Sequence, residues 1–226
     1  PNTCCNSSSD NSLSFVVNDS HSFFNNNDVA SADYSFASIR KWMGVVCGAE
    51  MNGVEAKALK SYPFLDGKLR AMQLKKDYLA GNQEIEKQTF LNLFANFGHH
   101  LEYDYQDYAM DELSYTIYKK TNKEELKQKR RENANYLHEH MTLRTLAPLT
   151  DDCCPLFVPV FFESKEKRSA VRRKLIENQI YCPIHWPKNQ LVTTEMKVNE
   201  IYDTELSLIC DQRYGIEEMK KLIAIL

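Results

Sequence analysis

At 226 residues the chain can bury one large core or two modest ones. Its 28 basic and 31 acidic residues leave a net charge of -3, which argues against a nucleic-acid or anionic-membrane surface. No apolar run approaches the roughly 20 residues needed to span a bilayer and no basic-then-apolar signal segment is seen, so no membrane partner is expected. Seven cysteines form an odd set without a C-x-x-C pair, and the vicinal pairs Cys4-Cys5 and Cys153-Cys154 are poor disulfide partners. Reduced thiols in a cytoplasmic protein are therefore expected. The opening Pro1-Asn2-Thr3-Cys4-Cys5 reads as the middle of a longer sequence, so a fragment is expected.

In chain order, residues 6–12 are rich in Ser and Asn and read as a loop. Leu13-Ser14-Phe15-Val16-Val17 reads as a short buried strand ended by Asn18-Asp19-Ser20-His21. Ala32-Asp33-Tyr34-Ser35-Phe36-Ala37 reads as a second strand, with β-favouring Tyr and Phe at alternate positions. A third is expected in Val45-Val46-Cys47-Gly48-Ala49, turning at the glycine. From 53 to 97 the pattern is helical, broken at Pro63, Gly67 and Gly81, with Leu69, Met72 and Leu74 at helical spacing. Phe90, Leu93, Phe94 and Phe97 form a cleaner apolar stripe. Residues 103–108 read as loop, and a long helix follows from Asp111 to about Met141, loosened near Thr121-Asn122; its Lys127, Lys129, Arg130 and Arg131 read as a solvated face. Beyond Pro148 the expected elements are an edge strand over 156–162 interrupted by Pro159, and a helix from Glu163-Ser164 to Asn178 with Val171, Leu175 and Ile176 inward. Strands at 180–182 and 206–210 and a closing amphipathic helix over 215–226 complete a small α+β unit.

The stretch that organises these elements is Ser38-Ile39-Arg40-Lys41-Trp42. A hydroxyl three residues before a lysine, where a strand runs into a loop, can put both groups on one side of a turn. A lysine amine shifts its pKa readily when desolvated or set beside another cation such as Arg40, as an amine that condenses with a carbonyl requires. A pyridoxal phosphate site needs a lysine, a carboxylate for the pyridine nitrogen, and hydroxyl and backbone donors for the phosphate. Lys41, Asp19 and Ser38 have those chemical types, in an order compatible with adjacent strand ends, where α/β sheets collect their ligands.

At these residues the chain resembles the StrS/DegT sugar aminotransferases, within the fold-type I pyridoxal phosphate enzymes. The resemblance rests on residues 17–22, on residues 32–42, on Ile180-Tyr181-Cys182-Pro183-Ile184-His185-Trp186-Pro187, and on Leu206-Ser207-Leu208-Ile209-Cys210-Asp211-Gln212-Arg213-Tyr214. It implies an α/β fold: residues 1–110 as a truncated large domain with a partial sheet and the Schiff-base lysine, and 111–226 as a linking helix and small α+β domain. It implies a homodimer and amino transfer from glutamate to a keto sugar, commonly nucleotide-linked, in polysaccharide or cell-surface glycan synthesis. Lys41 would be the Schiff-base lysine, Ser38 a phosphate contact, His21 a neighbour of the cofactor ring and His185 a substrate contact. Aligning His21 with the family's acidic turn puts Asn18 opposite the pyridine nitrogen, whereas a turn one residue shorter puts Asp19 there. The sequence departs from the family at Val46-Cys47-Gly48-Ala49-Glu50 and at Asp107-Tyr108-Ala109, and the family's first half is expected to precede Pro1. The alternative is a non-catalytic remnant of the same fold that binds a partner or dimerises. No metal is expected at His99-His100 or at His138 and His140, which lack ligands at suitable spacing.

Overall fold

The computed structural model describes residues 14–25, 32–55, 59–103, 106–146, 148–151, 153–185 and 196–226. Two compact units are present, one built from residues 1–20 with 29–121 and the other from 21–28 with 122–226. The later change of unit falls at Thr121–Asn122, where the expected long helix breaks because Asn122 caps a new one, its side chain accepting from the Glu125 N–H.

In the first unit β1 (Val16–Asn18) pairs in parallel with β2 (Tyr34–Ser38), and β3 (Ala49–Asn52) pairs antiparallel on the other side of β2. Alternation along β2 buries Ser35 and Ala37 and exposes Tyr34 and Phe36. A 3-10 turn, Ile39–Lys41, follows, and Ile39, Trp42, Met43, Val45 and Val46 carry the core away from the strand end. The expected strand at Val45 is displaced: β3 starts only at Ala49. The Val46 and Cys47 N–H groups instead donate to Ser114 Oγ at 2.9 and 3.4 Å, a partner more than 60 positions away. Gly53 is fixed by its backbone: its φ is +79°, and a Cβ there would sit 2.0 Å from the Asp33 carbonyl oxygen.

Helices α1 (Leu65–Leu79) and α2 (Lys87–Tyr103) pack together, with Ala71, Phe90 and Phe97 buried. Helix α1 runs straight through Gly67, which was expected to break it. Helix α3 (Glu112–Lys120) is capped by Asp111, whose carboxylate accepts from the Ser114 N–H.

The second unit opens with α4 (Lys123–His140) and holds an antiparallel sheet ordered β4 (Arg144–Thr145), β5 (Phe157–Phe161), β6 (Glu205–Ile209). Around it lie α5 (Lys165–Glu177), α6 (Met196–Thr204) and α7 (Ile216–Ile223). Leu137, Val160, Leu175, Leu206, Leu208, Met219 and Leu222 are buried in one cluster, and each contributes roughly 1.5–3 kcal/mol.

Four expectations are corrected here. Strand β5 is central, not an edge. Pro159 stands opposite Ser207, whose N–H donates to Pro183 O, so this is a non-hydrogen-bonded pair. The missing N–H of Pro159 therefore faces the side where β4 reaches only Val160 and Phe161. Residues 180–182 are not a strand: the Gln179 N–H donates to Ile176 O and the Ile180 N–H to Leu175 O, with Gln179 at φ 61°. That pairing is a Schellman ending of α5, and it uses the residues that would have begun a strand. Ile176 is exposed, the inward face of α5 being Arg168, Val171 and Leu175. Arg130, expected in solvent, is 2 % exposed and donates to Gln212 and to the Pro155 and Leu156 carbonyls. The short β4 and helix α6 had no counterpart in the sequence reading.

Candidate active site

Because β1 and β2 are parallel, with Val16 opposite Tyr34 and Asn18 opposite Phe36, their carboxyl ends lie side by side. The Asp19 N–H extends the ladder to Phe36 O at 2.8 Å. Asn18 Oδ1 accepts from the Ser20 N–H at 3.1 Å, which closes a local turn. Ser20 then joins the two strand ends: its Oγ accepts from the Ser38 N–H at 2.9 Å and its carbonyl accepts from Trp42 Nε1 at 2.9 Å. Ser20 and Trp42 are both buried, 5 % and 1 % exposed, so the lock is shielded from competing water. The fold thus brings Asn18, Asp19, Ser38 and Lys41 to one end of one sheet. The positioning roles of Ser20 and Trp42 were not read from the sequence; the turn-forming Asn-x-Ser at the strand end was the available signal.

Lys41 ends the 3-10 turn and is exposed as a whole residue. Partial desolvation of its amine, and then the neighbouring Arg40 charge, hold its pKa below the ordinary lysine value. An amine that is reachable yet gives up its proton more easily is suited to attack an aldehyde. With the buried carboxylate residue Asp19 and the half-buried Ser38 beside the strand ends, the donor set fits pyridoxal phosphate.

Behind the turn lies a cluster the sequence reading missed. Lys68 is 9 % exposed, donates to Val46 O at 2.7 Å and sits 3.7 Å from the centre of the Phe97 ring. Burial, and then Arg40, bring its pKa down to about 8. Cys47 Sγ donates to Asp111 Oδ2 at 3.1 Å, and burial pushes its thiol up to about 11. These contacts, with Ser114, pin the loop that follows Lys41; only long-range packing reveals them.

His21 and His185 belong to the second unit. The His185 ring stacks on Phe157 with centroids 3.9 Å apart, and His21 meets both rings edge-on, at 5.5 Å from Phe157 and 5.6 Å from His185. His185 Nδ1 lies 2.8 Å from Ser207 Oγ. Cys47, Cys153, Cys154, Cys182 and Cys210 are free thiols. Among the described residues no cluster of three or more His, Cys, Asp or Glu could hold a metal, and no helix is long and apolar enough to cross a membrane.

No protein-family model matches the sequence, and no curated protein matches it. Solved structures do. Spr1654 of Streptococcus pneumoniae, described as a sugar aminotransferase, aligns in its apo form with a TM-score of 0.56 and 14 % identity, over 94 % of this chain and 56 % of that one. The fold is that of part of an aminotransferase. Spr1654 in its PLP form gives 0.55 and 14 % identity, over 94 % of this chain and 57 % of that chain. A DegT DnrJ EryC1 StrS aminotransferase from Brucella abortus gives 0.53 and 10 % identity, over 93 % and 55 %. The chain therefore spans little more than half the length of these aminotransferase structures, and at such identities the likeness concerns the fold.

Proposed function

We propose that the chain carries the lysine-bearing part of a pyridoxal phosphate-dependent aminotransferase of the StrS/DegT type. It would move an amino group from glutamate to a keto sugar, nucleotide-linked, in the synthesis of a cell-surface polysaccharide, as a cytoplasmic homodimer. The observation that carries this reading is the parallel pair β1 and β2, whose ends are tied through Ser20 and carry Asn18, Asp19 and Ser38 at the sheet end from which the turn bearing an accessible Lys41 of lowered pKa continues. Likeness to solved sugar aminotransferases supports it.

When bound, the cofactor supplies an aldehyde for the amine and a ring that withdraws electrons from the substrate carbon. Lys41 Nζ, whose proton is loosened, would hold the cofactor's aldehyde and would serve as the base for the donor's Cα proton. Ser38 and the backbone N–H groups at the strand ends would hold the phosphate. Of the two candidates for the pyridine nitrogen, Asn18 already uses its amide oxygen to close the turn, and an amide cannot keep that nitrogen protonated; Asp19 takes the role. His185 would meet the substrate.

The test is the donor half of the reaction. The chain loaded with pyridoxal phosphate and given glutamate should release about one equivalent of 2-oxoglutarate, and K41A should release none. Equal release by K41A and the unaltered chain would overturn the assignment. The non-catalytic reading draws on the exposure of Lys41 and predicts no release from either.

A further inference from the structure

The second unit holds a cavity of about 540 Å³ that the proposed reaction does not use, within the roughly 300–1,000 Å³ of small-molecule sites. One stripe of α4 lines it, Lys127, Gln128, Arg131 and Asn135 recurring at helical spacing, and Phe24, Cys153 and Cys154 line it as well. Arg131 donates to the Asp151 carbonyl, and its Nη2 stands 3.3 Å from Asp151 Oδ1; Lys127 Nζ stands 3.0 Å from Glu124 Oε1. Both carboxylates are largely in solvent, so these pairs are weak and a ligand carboxylate can replace them. Glu124 and Glu132, on the same wall, offer partners to an ammonium. Such a lining suits a ligand that carries both charges.

The five described thiols differ in what surrounds them. Burial pushes Cys47, Cys154 and Cys182 up to about 11 and Cys210 up to about 12, so these four keep their protons at neutral pH. The charges of Arg130, Lys127 and Arg131 oppose the rise at Cys154, so the α4 cations reach the thiol pair. Cys153 is half-buried, borders the cavity, and has its Sγ 3.0 Å from Thr150 Oγ1.

We propose that Cys153 is a site of reversible S-thiolation, at which the cavity seats a small zwitterionic thiol peptide whose carboxylates meet Lys127 and Arg131. The site stands apart from the aminotransferase reading. The Cys153 thiolate attacks one sulfur of the peptide's disulfide; the new S–S bond forms as the old one breaks. The departing peptide thiolate takes up the proton that Cys153 gave to solvent, so Cys153 is oxidised and one peptide sulfur is reduced. Cys154, 2 % exposed and protonated, does not go on to expel the peptide. Adjacent Cα atoms also stand about 3.8 Å apart, closer than the roughly 4.4–6.8 Å a disulfide prefers, so the mixed disulfide is the product.

The probe is oxidised glutathione, incubated with the full chain at neutral pH and read by intact mass and peptide mapping. One glutathionyl group is expected on Cys153, released by dithiothreitol and absent from that position in C153S. Bis(2-hydroxyethyl) disulfide offers the same bond without charges. K127Q/R131Q should slow the reaction with oxidised glutathione about tenfold and leave that with the uncharged disulfide within about twofold. A group that falls on Cys47 or on another described thiol in preference to Cys153 overturns the assignment. Loss of two hydrogens across Cys153 and Cys154, with no peptide added, overturns the mixed disulfide as product. Equal slowing with both disulfides, or none with either, overturns the seat on α4.

Discussion

Replacing Trp42 by Phe tests the lock that aligns the two strand ends. Trp42 is 1 % exposed, and its Nε1 donates to the Ser20 carbonyl at 2.9 Å, in a residue only 5 % exposed itself. Phenylalanine keeps most of the apolar contact but leaves that carbonyl without the indole donor, at a cost of about 1–3 kcal/mol. The lost part of the ring adds about 1 kcal/mol of cavity. A destabilisation of about 2–4 kcal/mol is therefore expected for the first unit. Because the chain has two compact units, the assay is native-state hydrogen exchange read at first-unit amides, the Ser38 N–H above all. A second readout is chemical: with the turn loosened, the Lys41 amine should gain solvent, and its pKa should climb toward 10.5. An exchange loss below about 0.5 kcal/mol, with an unmoved Lys41 pKa, would refute the claim that Ser20 and Trp42 set the site.

Two further outcomes follow from the same unit. Lys68 has a pKa of about 8 against an ordinary 10.5. Below pH 8 both folded and unfolded chains hold this proton; between pH 8 and 10.5 only the unfolded chain does, so Lys68 makes stability rise with pH across that window. K68M should lack this contribution, its difference from the unaltered chain changing by about 1–2 kcal/mol after allowance for solvent screening; parallel urea-derived pH curves would contradict the burial of the amine. G53A must carry a Cβ at a φ of +79°, 2.0 Å from Asp33 O. It should cost about 2–3 kcal/mol and release the β2–β3 amides to exchange, whereas near-silent behaviour would show that this turn is not fixed as described.

Local signals in the sequence located several of the helices. Ser164 caps α5 where the helix was expected to start, and the Phe90 to Phe97 stripe marks the buried face of α2, whereas the Asn122 cap that divides the expected long helix into α3 and α4 was read only as a loosening. Ser-x-x-Lys after a strand also placed Ser38 and Lys41 where the structure has them. What stayed hidden depends on partners far along the chain. Val45 and Val46 look like strand residues until Ser114 supplies their segment's hydrogen bonds. Pro159 argues for an edge until its pairing with Ser207 shows that no ladder bond is missing. Arg130 sits in a basic run that reads as solvated, yet three acceptors from the Pro155 and Gln212 regions draw it inward. Glu205 and Ser207 alternate so as to meet one another, but the contact of His185 with Ser207 depends on a chain reversal that no local signal shows.

The central claim is that Lys41, among 28 basic residues, is the amine that takes the cofactor. The direct measurement is to equilibrate the chain with pyridoxal phosphate, reduce with borohydride, digest, and map the modified peptide by mass spectrometry. The account predicts one pyridoxyl group, on Lys41, and none at that peptide in K41A. An adduct spread over surface lysines, or confined to another lysine such as Lys68, would contradict it.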